Sequence, residues 1–165
     1  RRQLPKSWFA HWQYDPIAPY IAVYLPGDGE LNINGLIAQH LAAIHVAELG
    51  KGKVPRWLAE GSGRAVAAGF EPKDPRIAAW EDRVPDALAL CAKADHFMTG
   101  QPNADDADIL SYSFVRQLRS NASRFNALLA EIRGGGETDE AVQKVYRAAP
   151  AQLAESWATR AGRKR

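Results

Sequence analysis

From Leu36 to the C-terminus the chain repeats one pattern. An apolar period of three to four residues runs for about four turns, stops at a cluster of Gly or Pro, and starts again. Segments of this kind hide one face only by packing on each other, so the pattern predicts a helical body. Leu36, Ile37, Leu41, Ile44 and Val46 predict a mostly buried helix that ends near Gly50-Lys51-Gly52. Pro55, a favourable first-turn residue, opens a second helix that runs to Gly69. "DPRIAAWEDRVPDALALCAKADHFM" supplies one or two more, interrupted at Pro85, and places Cys91 in an apolar helical run. "QPNADDAD" is a loop ending in an acidic helix start, and "ADILSYSFVRQLRSN" and "SRFNALLAEIR" are amphipathic helices. Gly134-Gly135-Gly136 precedes "TDEAVQKVYRA", with Thr138 as the expected N-cap, and Pro150 opens a last helix, "PAQLAESWATRA".

Residues 1–35 read differently. They are rich in aromatics and prolines, "YIAVYL" has strand composition, and "PGDG" is a turn signal leading into "ELNI". A hairpin or two edge strands is the economical reading. The fold expected is α+β, mostly helical, with a small N-terminal sheet or hairpin.

Bulk properties narrow the partners. At 165 residues, one domain spanning 1–165 is expected, with a strand-rich part at 1–35 and a helical body at 36–165. Hydrophobic residues at 46% and charged residues at 24% are ordinary for a soluble globular chain. The net charge of +2 gives no electrostatic case for nucleic acid or an anionic membrane. No apolar run approaches the roughly 20 residues of a membrane span. One cysteine forbids an internal disulfide. The chain opens on Arg1 rather than Met, so a processed product or a piece of something longer is expected.

The stretch "VPRWLAEG" resembles the gluzincin metallopeptidases, in particular the bacterial peptidase-MA-like group, where a P-R-W-L-x-E-G segment carries the glutamate that completes a zinc site. "LSYSFVRQL" and "TDEAVQKVYRAAPAQLAESWATR" are similar to that group's C-terminal helices, so the resemblance covers roughly Tyr20 to Ala161. It implies a zincin-like fold, Glu60 in the third-ligand position, and an extracytoplasmic location. It also places the H-E-x-x-H positions on Gln39, His40, Leu41, Ala42 and Ala43.

The chemistry of that site needs two imidazoles one helical turn apart and a glutamate base beside the first. Here Gln39 stands for the first histidine, His40 for the base and Ala43 for the second histidine, and a methyl group coordinates nothing. A shifted register fails as well. His40 and His45 are five residues apart, about 140° around a helix, and cannot chelate one ion together. Glu60 with His40 gives two ligands, too few for a tight site. Where the family carries a carboxylate one turn after its ligand glutamate, this chain has Arg64, placed at i,i+4 to pair with Glu60. A Glu60–Arg64 ion pair is expected in place of the metal, with no catalytic residue and no cofactor.

The remaining candidates have plainer roles. Tyr112, Ser113 and Trp57 read as core or anchoring residues, and His11 and His96 as scattered single histidines. "GSGR" at 61–64 lies inside a helix pattern and is no phosphate loop. "NADDADIL" lacks the alternating ligands and closing glutamate of a calcium loop, and Cys91 reads as a buried inert thiol. The expected function is that of a catalytically inactive metallopeptidase-like domain. It would act as a scaffold or protein-binding module, with a protein or peptide partner in the former substrate groove. Two rivals stand beside it. One is an active zinc peptidase with non-standard ligands or a site completed by a second chain. The other is a structural subunit whose groove is filled by its own aromatic segment, Trp8 to Tyr14.

Overall fold

One helix organises the molecule, and two glycines explain how. The computed structural model describes residues 10–23 and 33–162. In it, strands β1 (Ala10–Gln13) and β2 (Tyr20–Val23) precede seven α-helices: α1 (Ile33–Leu49), α2 (Arg56–Phe70), α3 (Pro75–Ala89), α4 (Ala104–Arg119), α5 (Ala122–Arg133), α6 (Thr138–Tyr146) and α7 (Pro150–Ala161). A short 3-10 turn at His96–Thr99 links α3 to α4. The class is α+β, mostly helical, with a two-stranded antiparallel sheet at the N-terminal end.

Gly61 and Gly63 lie two residues apart in α2, about 200° around the axis, so they face opposite sides. A Cβ on Gly61 would stand 2.5 Å from the Ser111 carbonyl oxygen of α4, and one on Gly63 would run into the Gln39 carbonyl oxygen of α1. Both neighbours therefore approach at backbone distance. The helix between them buries Trp57, Leu58, Ala59, Ala65 and Ala67 as well. "GSGR" is thus a helix-packing element.

Aromatic packing closes the body. Trp57 of α2, Phe97 of the 3-10 turn, Phe114 of α4 and Trp157 of α7 meet with ring centroids 5.5 to 5.7 Å apart. Such tilted and edge contacts add to area burial. Trp157 Nε1 donates to Ser113 Oγ at 3.2 Å, which satisfies its polar edge. At the head of α4, Asn103 accepts from the Asp106 amide at 3.0 Å, and Arg83 of α3 grips Asp106 through two bonds of 2.8 and 2.9 Å. Those bonds hold the Asp106 carboxyl below its ordinary range. The sheet pairs Ala10 with Val23 and Gln13 with Tyr20 and packs on α1. No helix of the described residues is long and apolar enough to cross a membrane.

Several boundaries differ from the sequence reading. Helix α1 begins at Ile33, so the helical body starts three residues before Leu36 and Ile33 is not strand. The "PGDG" turn and most of "ELNI" lie outside the described residues. Helix α3 continues through Pro85. Proline costs one backbone bond there, but Ile77, Trp80, Val84 and Ala87 present one buried face on both sides of it, and that face holds the helix together. Cys91 lies just past α3 rather than within a helix, half-buried, and burial pushes its thiol up. The N-cap of α6 is Glu137; Thr138 is its first helical residue, with a buried side chain set by packing.

Candidate functional site

The α1–α2 crossing carries every position that the resemblance singled out. Gln39 and Ala43 lie on the side of α1 that meets Gly63, one turn beyond Glu60 on α2. Gln39, His40, Ala43 and Glu60 are all buried, and Ala42 is half-buried. Leu41, the residue between them, points to solvent at 56% exposure. His45 is exposed on another side of α1, so the two histidines of this helix do not converge. Gln39 Oε1 accepts from Arg76 Nη1 at 3.4 Å; Arg76 is in turn clamped by Asp74, its nearest bond 2.6 Å.

Glu60 has company that spacing on α2 only partly announces. Trp12 of β1 donates its indole Nε1–H to Glu60 Oε1 at 2.5 Å. Arg56 Nη2 stands 3.6 Å from the same oxygen, and Arg64 Nε stands 4.0 Å from Oε2. Arg64 lies nearer to a second carboxylate, Asp108 of α4, at 3.6 Å. Arg56 binds Asp108 bidentately, at 3.1 and 2.7 Å. The Glu60–Arg64 contact is therefore the loosest edge of a four-charge network. Two carboxylates and two guanidiniums balance in charge, with an indole closing one side. The Arg64 guanidinium also sits over the Trp80 ring at 4.7 Å.

Burial raises the Asp108 carboxyl above its ordinary value, and the neighbouring Glu60 charge pushes the same way; the bonds from Arg56 oppose both. A carboxyl with a raised pKa beside a second carboxylate is a pattern found in acid–base sites. Here both acids are buried against guanidiniums, and Glu60 also against an indole.

Asp108 was absent from the sequence reading, which took "ADDAD" as a helix start. The signal was present, since Asp108 stands three, four and seven residues before Ser111, Tyr112 and Val115, all on the buried face of α4. Trp12 fell within the aromatic segment named as a filling of the groove. Tyr112 is fully buried, bonding Glu81 at 3.2 Å, and Trp57 anchors α2 against Phe114. His96 is half-buried in the 3-10 turn, and the side chain of His11 lies outside the described residues.

The donor set does not suit a divalent metal ion. The positions that the resemblance assigns to H-E-x-x-H offer an amide and a methyl where imidazoles are needed, and two cations face the one carboxylate. Among the described residues no three His, Cys, Asp or Glu side chains gather as a ligand set. No family model matches the chain, and no curated protein and no solved structure matches it.

Proposed function

We propose that this chain is a non-catalytic domain of gluzincin-like design, a scaffold whose former metal position is sealed by its own side chains. The carboxylate of Glu60 carries the reading. One oxygen takes the Trp12 indole at 2.5 Å with Arg56 beyond it, and the other faces Arg64. A coordinated dication would have to displace these groups and would meet two positive charges. A buried carboxylate without its metal is costly unless paired, and the arginines supply that pairing.

The same bond bears on the partner. Trp12 belongs to the aromatic segment expected as a filling of the groove, and its bond to Glu60 favours a structural role over capture of an extended peptide at that place. A domain of this kind contributes its outward faces to a larger, extracytoplasmic assembly.

Metal content and zinc titration of the wild type beside the triple variant Gln39→His, His40→Glu, Ala43→His test the proposal. The wild type is expected to hold no stoichiometric zinc and the variant to gain it. One equivalent of zinc on the wild type, with loss of the Trp12–Glu60 bond, would overturn it.

A further inference from the structure

Ser62 sits two residues after Glu60, about 200° around α2, and so belongs to the opposite side of the helix. It is 3% exposed, and its hydroxyl has no hydrogen-bond partner. A serine inside a helix ordinarily bonds back to the carbonyl four residues earlier, and an idle buried hydroxyl costs free energy. Ser62 lines a cavity of about 270 Å³ between α1, α2 and the α4–α5 corner. Val46 and Phe125 are its other deeply buried walls, with Val66 and Leu129 half-buried beside them.

The rim is polar and of one sign. His45, Arg119 and Asn126 are exposed and line the cavity, and no Asp or Glu does so. Arg119 stands at the C-terminal end of α4 with its guanidinium over the Phe125 ring at 5.9 Å. No carboxylate pairs with it among the described residues. An apolar interior with a lone cation at its mouth has a definite complement: a compact apolar body ending in an anion. At about 30 Å³ per water in the liquid, the cavity matches roughly nine water molecules in size.

We propose that this cavity binds small monocarboxylates with a compact apolar body, aromatic or branched, on the scale of benzoate. The carboxylate pairs with Arg119 and is supported by Asn126, and the apolar body lies against Val46, Val66, Phe125 and Leu129, with Ser62 at the wall. The site is separate from the Glu60 network and does not depend on the function proposed for it.

Titration of the full chain with benzoate, benzyl alcohol and acetate, followed by amide chemical shifts and thermal melting, tests this. Saturable benzoate binding is expected, with shifts at His45, Ser62, Arg119 and Phe125 and a rise in melting temperature. Benzyl alcohol, which keeps the body and lacks the charge, and acetate, which keeps the charge and lacks the body, should each bind at least about tenfold more weakly. Arg119→Gln, at an exposed position, should cost benzoate a similar factor while leaving the fold intact. Ser62→Val, which fills the inner end and removes a hydroxyl without a partner, should abolish binding at unchanged or higher stability. Equal binding of benzoate and benzyl alcohol, shifts confined to other surfaces, no saturable binding, or benzoate affinity unaffected by both substitutions would overturn the proposal.

Discussion

Replacing Arg64 by alanine puts the charge network to its hardest test. Removing one partner of a fully buried ion pair costs about 3–5 kcal/mol, because the other is left charged and unsolvated. Two features here lower that figure. Arg56 remains, with its bidentate bond to Asp108, and the Arg64 contacts at 3.6 and 4.0 Å are longer than hydrogen bonds. One raises it: stacking over Trp80 at 4.7 Å, worth about 0.5–2 kcal/mol, is lost as well. With the Arg64 side chain only 14% exposed, solvent does little to screen the loss. The expected destabilisation is about 2–3 kcal/mol, or roughly 5–10 °C in melting temperature for a chain of this length. Urea unfolding followed by tryptophan fluorescence measures it. Adding Glu60→Gln to the variant removes an orphaned charge and should restore at least half of the loss. The deficit should also shrink as pH falls. Asp108 has a folded pKa raised above its ordinary value, so the native state takes up a proton more readily than the unfolded chain, and losing the arginine that opposes this widens the difference. A loss below about 0.5 kcal/mol, or one that neither Glu60→Gln nor acid relieves, would refute the account of Arg64 as counter-ion.

Other perturbations probe different links. Gly63→Ala drives a Cβ into the Gln39 carbonyl oxygen and should cost about 1–3 kcal/mol despite alanine's helical preference, whereas Gly69→Ala, with nothing within 4 Å, should gain up to about 1 kcal/mol; chemical denaturation of the pair decides it. Trp12→Phe keeps the ring and removes the N–H, so stability should fall by about 1–2 kcal/mol and the β1 amides should exchange faster; unchanged exchange would mean that the indole bond does not hold the hairpin. Asp106 has a depressed pKa, caused first by the Arg83 bonds. Its contribution should be fully present above pH 3.8, the carboxyl's ordinary value, and lost as pH falls through the lower folded value. The stability gap between wild type and Asp106→Asn should therefore close only below pH 3.8, and a gap that persists unchanged to pH 2 would count against the Arg83 clamp.

Reading the chain from residues alone went furthest where information is local. Helices α1, α2, α4, α5 and α7 were legible because apolar period, caps and breakers all act within a few residues. Pro85 misled for the opposite reason: the local rule breaks a helix there, and packing on both sides of the proline overrode it. Thr138 misled by one position, since a buried side chain outweighed a capping preference.

The candidate site divides in the same way. The sequence by itself determined that Gln39, His40 and Ala43 stand where the resemblance would place H-E-x-x-H, and that Arg64 follows Glu60 by one helical turn, the second being a matter of residue type and spacing alone. Only the tertiary structure decided that Asp108 comes from α4 to share both arginines, that Trp12 arrives from 48 residues away to bond Glu60, and that Ser62 opens onto a cavity mouthed by Arg119. Spacing along one helix fixes which side chains share a face, but a buried charge is balanced by whatever folding brings beside it, and those neighbours are remote in the chain.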